Sequence, residues 1–343
     1  MPLTGTSTNY SYQHRTTRDS DEHAEALKDW NQVYDQLSPG SFEGKVVDLR
    51  FKGLQIFRET TNRSVSQSGS SWNGCFVVGI PVAMKNTGLF AKQVLTRDSM
   101  LTFHSDQEFS LTSPEGFDVV AVAIPEATLL EAMNPESHDQ LRHIFPKSPT
   151  VMVAEPHLID ELRNCLLSIF DPASFEPTLL RHPQVQRAMS SAIIGHLAEV
   201  LNSSSHAPMP TRSFKGRCHV VKDATNYALS NTTEPITVAD LCQKLNISRR
   251  MLNYCFQEVL ETNPVHYLRS LRLNGVRREL RQPLLVGTQI RDIAGKWGFW
   301  HLPRFAAEYR ALFGELPSET QFNLRRLRAL GGFIPNSSIN QLG

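Results

Sequence analysis

The sequence predicts an α+β protein in which an N-terminal β-barrel with flanking helices is linked to an all-α C-terminal domain with two helix-turn-helix units. Three observations lead to this fold class. The chain has 343 residues, 40% of them apolar, which is longer than one hydrophobic core usually organises. Short runs of β-forming residues fill much of positions 42–124. A helix-turn-helix pattern occurs twice in the C-terminal third, with its copies about 50 residues apart.

Charge divides the chain near residue 216. From Arg217 onward there are 17 Lys and Arg against 10 Asp and Glu, a net charge of +7. The preceding part carries 18 against 24, a net charge of −6. A basic module joined to an acidic one predicts a polyanionic partner for the C-terminal module alone.

The cysteines and the apolar runs predict a protein of the cytoplasm. None of the five cysteines lies in a Cys-x-x-Cys pair, which favours reduced thiols. No signal-like apolar region follows Met1, and no run of 18 apolar residues occurs, so neither export nor a membrane span is expected. The cysteines are Cys75, Cys165, Cys218, Cys242 and Cys255.

The N-terminal elements follow in order. Residues 1–20 are polar without an apolar period and predict a disordered arm. Residues 21–37 repeat apolar side chains at helical spacing and predict a lead-in helix, which opens a domain over 21–201. Residues 202–216 are polar and contain proline, which predicts a linker. Strands are predicted over 45–51, 54–60, 75–80, 100–103 and 119–124, and helical patterns follow over 158–169 and 185–201. Many short strands are typical of a sandwich or a small barrel, and we take the barrel.

Helix-boundary signals define the first helix-turn-helix unit. Thr237 precedes an apolar helix, and Asp240 lies three residues later, which makes a capping box with Asp in place of Glu or Gln. Ser248 lies where the next helix must begin, because its hydroxyl can accept from the N–H groups of a first turn. A recognition helix is predicted over 249–258.

That helix has one core face and one outward face. Leu252 and Phe256 lie four residues apart and fill the core. Opposite them, near the N-terminal end, lie side chains that suit base edges in a major groove, namely Arg250, Asn253 and Tyr254. Arg249, together with Ser248 and the N–H groups of the helix start, suits a phosphate.

A longer helix, from Pro264 to just before Pro283, connects the two units. Gly275 within it costs about 1 kcal/mol relative to alanine. Its arginines form either a solvated face or a set of phosphate contacts. These are Arg269, Arg272, Arg277, Arg278 and Arg281.

The second unit turns at Gly298-Phe299, where glycine supplies a positive φ. Its recognition helix is predicted to begin near His301, which lies closer to the DNA backbone, and Arg304 is the base-reading candidate. Ala307 occupies an outward position where a longer polar side chain would reach a base. We therefore expect the second half-site to be read less specifically than the first.

A spaced set of residues over 217–328 resembles the DNA-binding domain of AraC/XylS transcription regulators. The matching residues are Ile247-Ser248-Arg249-Arg250, Pro264-x-x-Tyr267-Leu268, Arg277-Arg278-x-Leu280, Ile293-Ala294, Gly298-Phe299, Phe305, Gly314 and Pro317. The resemblance implies an operator in double-stranded DNA, RNA polymerase as a partner, a homodimer, and a cupin-like sensor and dimerisation domain; residues 329–343 are expected to form a flexible tail. Where the family usually has glycine after the first recognition helix, this chain has Glu261, which would strain a left-handed cap by about 1 kcal/mol.

Within that family, further motifs are similar to activators of ethanolamine utilisation operons. They are Trp30-x-x-Val33-Tyr34-Asp35-Gln36-Leu37-x-Pro39-Gly40, Phe57-Arg58-Glu59 and Trp297-Gly298-Phe299-Trp300-His301-Leu302. This similarity implies an activator of a catabolic operon whose effector is a small amine or amino alcohol such as ethanolamine, with cobalamin as a further candidate. No covalent cofactor is expected.

A cationic amine needs a buried carboxylate and an aromatic wall. Glu59, with Trp72 and Phe76 near it in sequence, fits that need. The alternative is that Glu59 pairs with Arg58 or Arg50 at the surface while Trp72 is ordinary core. No nucleophile motif, phosphate loop or metal-spaced histidine set stands out, so catalytic and metal sites are not expected. Two other functions stay open, namely a DNA-binding regulator of an unrelated metabolite and a catalytic metal cupin fused to a DNA-binding domain.

Overall fold

The computed structural model describes residues 10–132, 148–173, 175–206, 212–230, 236–282 and 288–322. The chain divides into two compact units. The first comprises Met1–Tyr34 and Glu43–Pro210, and the second comprises Asp35–Phe42 and Thr211–Gly343. Within the ranges just given, no helix is long and apolar enough to cross a bilayer. The tail predicted over 329–343 lies outside the described residues.

The strands of the first unit form two sheets. One has eight strands in the order β1-β3-β4-β11-β6-β9-β12-β13, and every neighbouring pair in it is antiparallel. The other has five, in the order β2-β5-β10-β7-β8. The strands are β1 Tyr10–Thr17, β2 Asn31–Gln36, β3 Gly44–Phe51, β4 Leu54–Thr61, β5 Val65–Ser70, β6 Cys75–Ala83, β7 Gly88–Phe90, β8 Gln93–Leu95, β9 Met100–His104, β10 Phe109–Ser113, β11 Phe117–Pro125, β12 Thr150–Val153 and β13 Ser205–His206.

The two sheets are open, so the predicted barrel is not what the described strands form. The larger sheet ends at β1 and β13, and the smaller at β2 and β8. Side chains of both sheets, including Val77 and Phe103 from the larger and Phe90 and Phe109 from the smaller, share one buried cluster. That is the packing of a sandwich. The spacing of short strands in sequence indicates their number but not whether the sheet closes on itself, which is why the sequence left both architectures open.

Helices cover the other face of the larger sheet. They are α2 Glu126–Ala132, α3 Pro156–Ser168 and α4 Pro183–Ser203, with a 3₁₀ turn at Pro177–Arg181. The short helix α1 Ser20–Ala24 lies elsewhere, and its His23 contacts Glu59 of β4. On β6, Phe76, Val78 and Ile80 belong to the buried cluster that includes Leu162 of α3 and Leu197 of α4. Because side chains alternate along a strand, the intervening Val77 faces the smaller sheet instead.

The predicted disordered arm is wrong over residues 10–17. These residues form β1, which pairs with β3 from Tyr10↔Phe51 to Thr17↔Gly44. Only Thr17 among them is buried. Because an edge strand is held through its backbone N–H and C=O groups, a polar run can pair without an apolar signal. Residues 1–9 lie outside the described part of the chain.

The lead-in helix predicted over 21–37 is also wrong. Helix α1 ends at Ala24, Asp29 takes a left-handed conformation with φ 65°, and β2 begins at Asn31. Trp30 packs edge-on against Phe57 at a ring-centroid distance of 5.3 Å. The apolar residues that fitted a helical period therefore lie in a turn and a strand, because tertiary packing overrides the preference indicated by local spacing.

The predicted linker over 202–216 is mostly structured where it is described. Helix α4 runs to Ser203, and β13 pairs with β12 through Met152↔His206 and Val153↔Ser205. The next helix begins at Arg212. Residues 207–211 lie outside the described part of the chain, and the linker stays a prediction for them.

The described helices of the second unit are two helix pairs, the long helix on which both pairs pack, and one further long helix, α5, that precedes them. They are α5 Arg212–Ser230, α6 Val238–Leu245, α7 Arg249–Leu260, α8 Pro264–Arg281, α9 Ile290–Lys296 and α10 Leu302–Phe313. The pair α6–α7 packs on α8 through contacts such as the edge-to-face rings of Phe256 and Tyr267, 5.4 Å apart. The pair α9–α10 packs on α8 through a cluster that includes Val276, Ile293 and Tyr309.

Candidate nucleic-acid interface

Side-chain caps define the starts of α6 and α7. The Thr237 hydroxyl accepts from the Asp240 N–H at 3.2 Å, and the Thr237 N–H donates to the Asp240 carboxylate at 2.8 Å. Asn246 ends α6 in the left-handed conformation. The Ser248 hydroxyl then accepts from the Met251 N–H at 3.2 Å and starts α7. The capping box and the start of the recognition helix are confirmed.

Helix α7 separates a buried face from an exposed one. Leu252 and Phe256 are fully buried, and the exposed side chains near its N-terminal end are Arg249, Arg250, Asn253 and Tyr254. All four were predicted from the sequence. Three hydrogen-bonding side chains and one aromatic ring are therefore exposed within the first two turns of α7.

Tyr254 is held in place by α5. The guanidinium of Arg217 lies 5.4 Å from the centre of the Tyr254 ring, within range of a cation–π contact. Arg217 also lies 3.5 Å from the Glu258 carboxylate on α7. This arrangement fixes the direction in which the phenol points without using its hydroxyl.

Helix α7 ends as its sequence implies. Glu261 adopts φ 52° and ψ 26°, the left-handed conformation that glycine tolerates best, and its N–H donates to the Gln257 carbonyl at 3.1 Å. A residue with a Cβ in this conformation is strained by about 1 kcal/mol. The strain expected from the sequence is thus present at this cap.

The arginines of α8 mainly hold the second unit together. Arg277 is 7% exposed, lies 2.9 Å from Glu315, and stacks 4.6 Å from the centre of the Phe313 ring. Arg269 pairs with Glu308 at 2.7 Å. Others are engaged too: Arg278 pairs with Asp35 at 2.8 Å, and Arg272 lies 5.5 Å from the centre of the Phe299 ring, where burial lowers the pKa of its guanidinium. These four side chains therefore do not form a simple solvated face, and phosphate contacts stay a prediction for them.

Gly275 lets α9 approach α8 closely. A Cβ at this position would overlap the indole ring of Trp297. That indole donates its N–H to the Glu279 carboxylate at 2.9 Å, and Lys296 donates to the same carboxylate at 2.7 Å. The helix-propensity cost expected from the sequence is therefore offset by a contact that only glycine permits.

The turn between α9 and α10 matches its sequence signals. Gly298 has φ 78°, and the helix starts after His301, whose ring Nδ1 accepts from the Arg304 N–H at 3.2 Å. The Arg304 side chain is 66% exposed, and its Nε donates to Glu308 at 2.9 Å. Glu308 is also paired with Arg269. The Glu308 carboxylate is therefore held in place and orients the Arg304 side chain, which is exposed to solvent.

Trp300 is a surface residue whose exposure was not predicted from the sequence. Its side chain is 88% exposed at the start of α10, beside exposed Leu302. The indoles of Trp30 and Trp72 both donate to Gln55, and that of Trp297 donates to Glu279. The sequence did contain one indication of this exposure. Trp300 lies in the turn, outside the i, i+3, i+4 series of residues that fills the core.

The three predicted effector residues do not come together. Glu59 is 6% exposed, accepts from the Tyr34 hydroxyl at 2.8 Å, and lies 2.9 Å from His23 Nε2. Phe76 lies in the cluster on the helix-covered face of the larger sheet, whereas Trp72 packs against the cluster between the sheets. Glu59 shares its face of β4 with Phe57 and so lies on the opposite side of the larger sheet from Phe76, because side chains alternate along a strand. The sequence did not fix the register that decides these faces, and the effector role of the three residues stays a prediction.

Glu59 has a structural environment of its own. The Thr17 hydroxyl lies 2.8 Å from His23 Nδ1, so Thr17, His23, Glu59 and Tyr34 form one chain of polar contacts. Burial and the Glu59 charge raise the pKa of Tyr34 well above its usual value, which keeps its hydroxyl protonated and donating. The expected surface partners lie elsewhere, since Arg58 pairs with Asp118 and Arg50 with Asp29.

Among the described residues, one group of side chains has metal-ligand spacing. Ligand atoms of Glu161 on α3 and of His196 and Glu199 on α4 lie within 4.8 Å of one another. Both carboxylates are exposed, and exposed acidic groups of this kind are common without an ion. The cluster therefore gives no support for a metal centre.

Comparison with known proteins identifies the C-terminal domain and relatives of the chain. Residues 241–322 match a family model described as a helix-turn-helix domain. The probable thc operon regulatory protein of Rhodococcus erythropolis is 31% identical over 143 residues, 41% of this chain and 42% of that protein. The XylDLEGF operon transcriptional activator 1 of Pseudomonas putida is 27% identical over 283 residues, 81% of this chain and 84% of that protein.

The chain is a DNA-binding transcriptional regulator similar to those of the AraC/XylS family. It is a DNA-binding protein and not an enzyme, which removes the catalytic cupin from the open alternatives. Among solved structures, the AraC-like transcriptional activator CuxR aligns at 15% identity and a TM-score of 0.41 over 76% of this chain and 94% of that one. The effector of this regulator stays a prediction.

Proposed function

We propose that this regulator is a ligand-responsive activator that binds its operator with two helix-turn-helix units, α6–α7 and α9–α10. The observation that carries the proposal is the outward face of α7, where Arg250 and Asn253 are exposed opposite the buried Leu252 and Phe256. Arg suits guanine and Asn suits adenine in the major groove. The excess of positive charge from Arg217 onward supports the same partner.

The two recognition helices divide the work unequally. Helix α7 presents several hydrogen-bonding side chains, whereas α10 presents Arg304 as its main base reader and Ala307 at the next outward turn. Ser248 and His301 cap the first turns of α7 and α10. The backbone N–H groups at these helix starts suit a phosphate. We propose that α7 sets sequence specificity while α10 mainly positions the protein on the duplex.

Replacing Arg250 by alanine is expected to weaken operator binding by about 1–3 kcal/mol and to relax the preference at one base pair. Arg249→Ala is the matched control on the same turn, since a phosphate contact would weaken binding to all sequences alike. The test selects bound duplexes from a random library with each variant and measures their dissociation constants at fixed salt. An Arg250→Ala protein that selects the same sequence with the same affinity would remove this residue from the interface.

Trp300 is expected to lie against the duplex. An 88% exposed indole beside Arg304 at the start of α10 exposes a large apolar surface that a deoxyribose or a thymine methyl can cover. Selected DNA should therefore reduce acrylamide quenching of the protein's fluorescence, and Trp300→Phe should remove that difference. Trp300→Ala should lower affinity by roughly tenfold, from about 1–2 kcal/mol of apolar burial. Quenching that DNA leaves unchanged would place the indole outside the interface.

We infer further that the N-terminal unit carries the effector site and pairs two copies of the chain, and that RNA polymerase is recruited at the promoter. A small amine or amino alcohol such as ethanolamine is the first candidate effector, with cobalamin second and an unrelated metabolite as the alternative. The support is the sequence similarity alone, because Glu59 is engaged by Tyr34 and His23. Thermal unfolding of the whole regulator against a panel of these compounds tests the proposal, since a ligand of the folded state raises the midpoint with concentration.

A further inference from the structure

Eight residues from the first eighth of the sequence belong to the second compact unit. The chain leaves the first unit between Tyr34 and Asp35 and returns to it between Phe42 and Glu43. We call Asp35–Phe42 the strap. No composition shift or repeat in the sequence marks it, and the helix-turn-helix family model begins only at residue 241.

The strap is bonded to the middle of α8. The Gln36 N–H donates to Asn274 Oδ1 at 3.1 Å, and Asn274 Nδ2 donates back to the Gln36 carbonyl at 2.9 Å. The side-chain amide of Asn274 thus pairs with the Gln36 backbone as a neighbouring strand would. Asn274 is 2% exposed. One turn further along α8, Arg278 pairs with Asp35 at 2.8 Å.

The strap also holds the C-terminal end of α10. The last carbonyls of a helix have no partner within the helix. The Gly40 N–H donates to the Ala311 and Leu312 carbonyls at 2.9 and 3.0 Å, and Gln36 Nε2 donates to the Leu312 carbonyl at 2.6 Å. Gln36 Nε2 also lies 2.6 Å from the Gly40 carbonyl, which fixes the loop of the strap itself.

One residue therefore bonds both helices. Gln36 is 1% exposed, with its backbone on Asn274 of α8 and its side chain on Leu312 of α10. Because buried polar groups need their partners, shifting α10 relative to α8 would leave several donors and acceptors unpaired at once. The strap thus fixes the position of α10 on α8.

We propose that the strap is a working part of the DNA-binding domain and that Gln36 and Asn274 are positioning residues for the second recognition helix. The proposal rests on the proposed function, since α10 is taken to contact DNA.

The test uses the full-length regulator and two readouts. Gln36→Ala and Asn274→Ala should speed amide exchange in the last turn of α10 by roughly tenfold, since each removes two or more buried hydrogen bonds. On selected DNA, both variants should lose protection of the half-site read by α10 by a similar factor, while the half-site read by α7 stays protected. Gln32→Ala is the matched control, because Gln32 lies on the same strand and bonds to Ala24 and Gln67 of the first unit.

The outcomes separate this proposal from the one beneath it. If both variants exchange the amides of α10 at the wild-type rate, the proposed role of the strap is overturned. It is also overturned if both half-sites lose protection equally while exchange in α7 becomes faster, because that result would show general destabilisation. If the wild-type regulator selects no DNA, the proposed function fails, and exchange in α10 alone still decides whether the strap positions that helix.

Discussion

Replacing Glu59 by alanine is expected to lower the free energy of unfolding of the N-terminal unit by about 3 kcal/mol. The carboxylate accepts from the Tyr34 hydroxyl at 2.8 Å and lies 2.9 Å from His23 Nε2, and all three side chains are buried. Alanine would leave two buried polar groups without this partner, at about 1–3 kcal/mol for each. Urea unfolding of the full-length regulator, followed by fluorescence, measures the loss.

Two variants show whether the carboxylate stabilises the fold or binds a ligand. Glu59→Gln keeps an oxygen acceptor for Tyr34 and should cost clearly less than alanine. Asp118→Ala removes the partner of Arg58 on the adjacent strand, where Arg58 is 35% exposed, and should cost no more than about 1 kcal/mol. A Glu59→Ala protein as stable as the wild type that no longer responds to amines would contradict the structural role and favour the predicted effector role.

The C-terminal helices could be predicted because their boundaries are local. Thr237, Ser248 and Gly298 each satisfy or relieve backbone groups within three residues of themselves, so the chemistry that ends a helix is readable in a short window. The outward face of α7 follows from the same locality, since the four-residue spacing of Leu252 and Phe256 fixes which side is buried.

The N-terminal unit could be predicted only where apolar runs are strong. The five predicted strands correspond to β3, β4, β6, β9 and β11. These five are consecutive in the larger sheet and lie between β1 and β12. The polar strands β1 and β2 were missed because their pairing depends on partners distant in sequence. Phe76 was grouped with Glu59 although the two lie on opposite faces of the larger sheet, since a strand's register is set by its neighbours.

The strap marks the limit of sequence-based prediction here. Asp35 to Gly40 resembled the end of a helix stopped by Pro39-Gly40, and nothing nearby indicated a partner more than 230 residues away. Asn274 carried no signal either, as a polar residue on a helix rich in arginine. Its burial at 2% becomes understandable only once Gln36 lies against it. Long-range hydrogen bonds between isolated polar residues leave no periodic pattern.

Gly275→Ala is expected to destabilise the second unit by about 1–3 kcal/mol, although alanine is the better helix former. The added Cβ would overlap the Trp297 ring, which is packed against α8 and bonded to Glu279 at 2.9 Å. Either the indole must move and lose that hydrogen bond, or α9 must shift away from α8. Thermal and urea unfolding of the full-length regulator, with the transition of each unit followed separately, measures the change.

Gly295→Ala is the matched control for this substitution. Gly295 lies in α9, and a Cβ there would meet nothing within 4 Å, so the same exchange should stabilise by about 0.5–1 kcal/mol through helix propensity alone. Opposite signs at the two glycines would show that Gly275 is retained for the contact with Trp297. Equal stabilisation at both would mean that the indole can turn aside freely, and the close packing of α9 on α8 would then contribute little to how the second recognition helix is held.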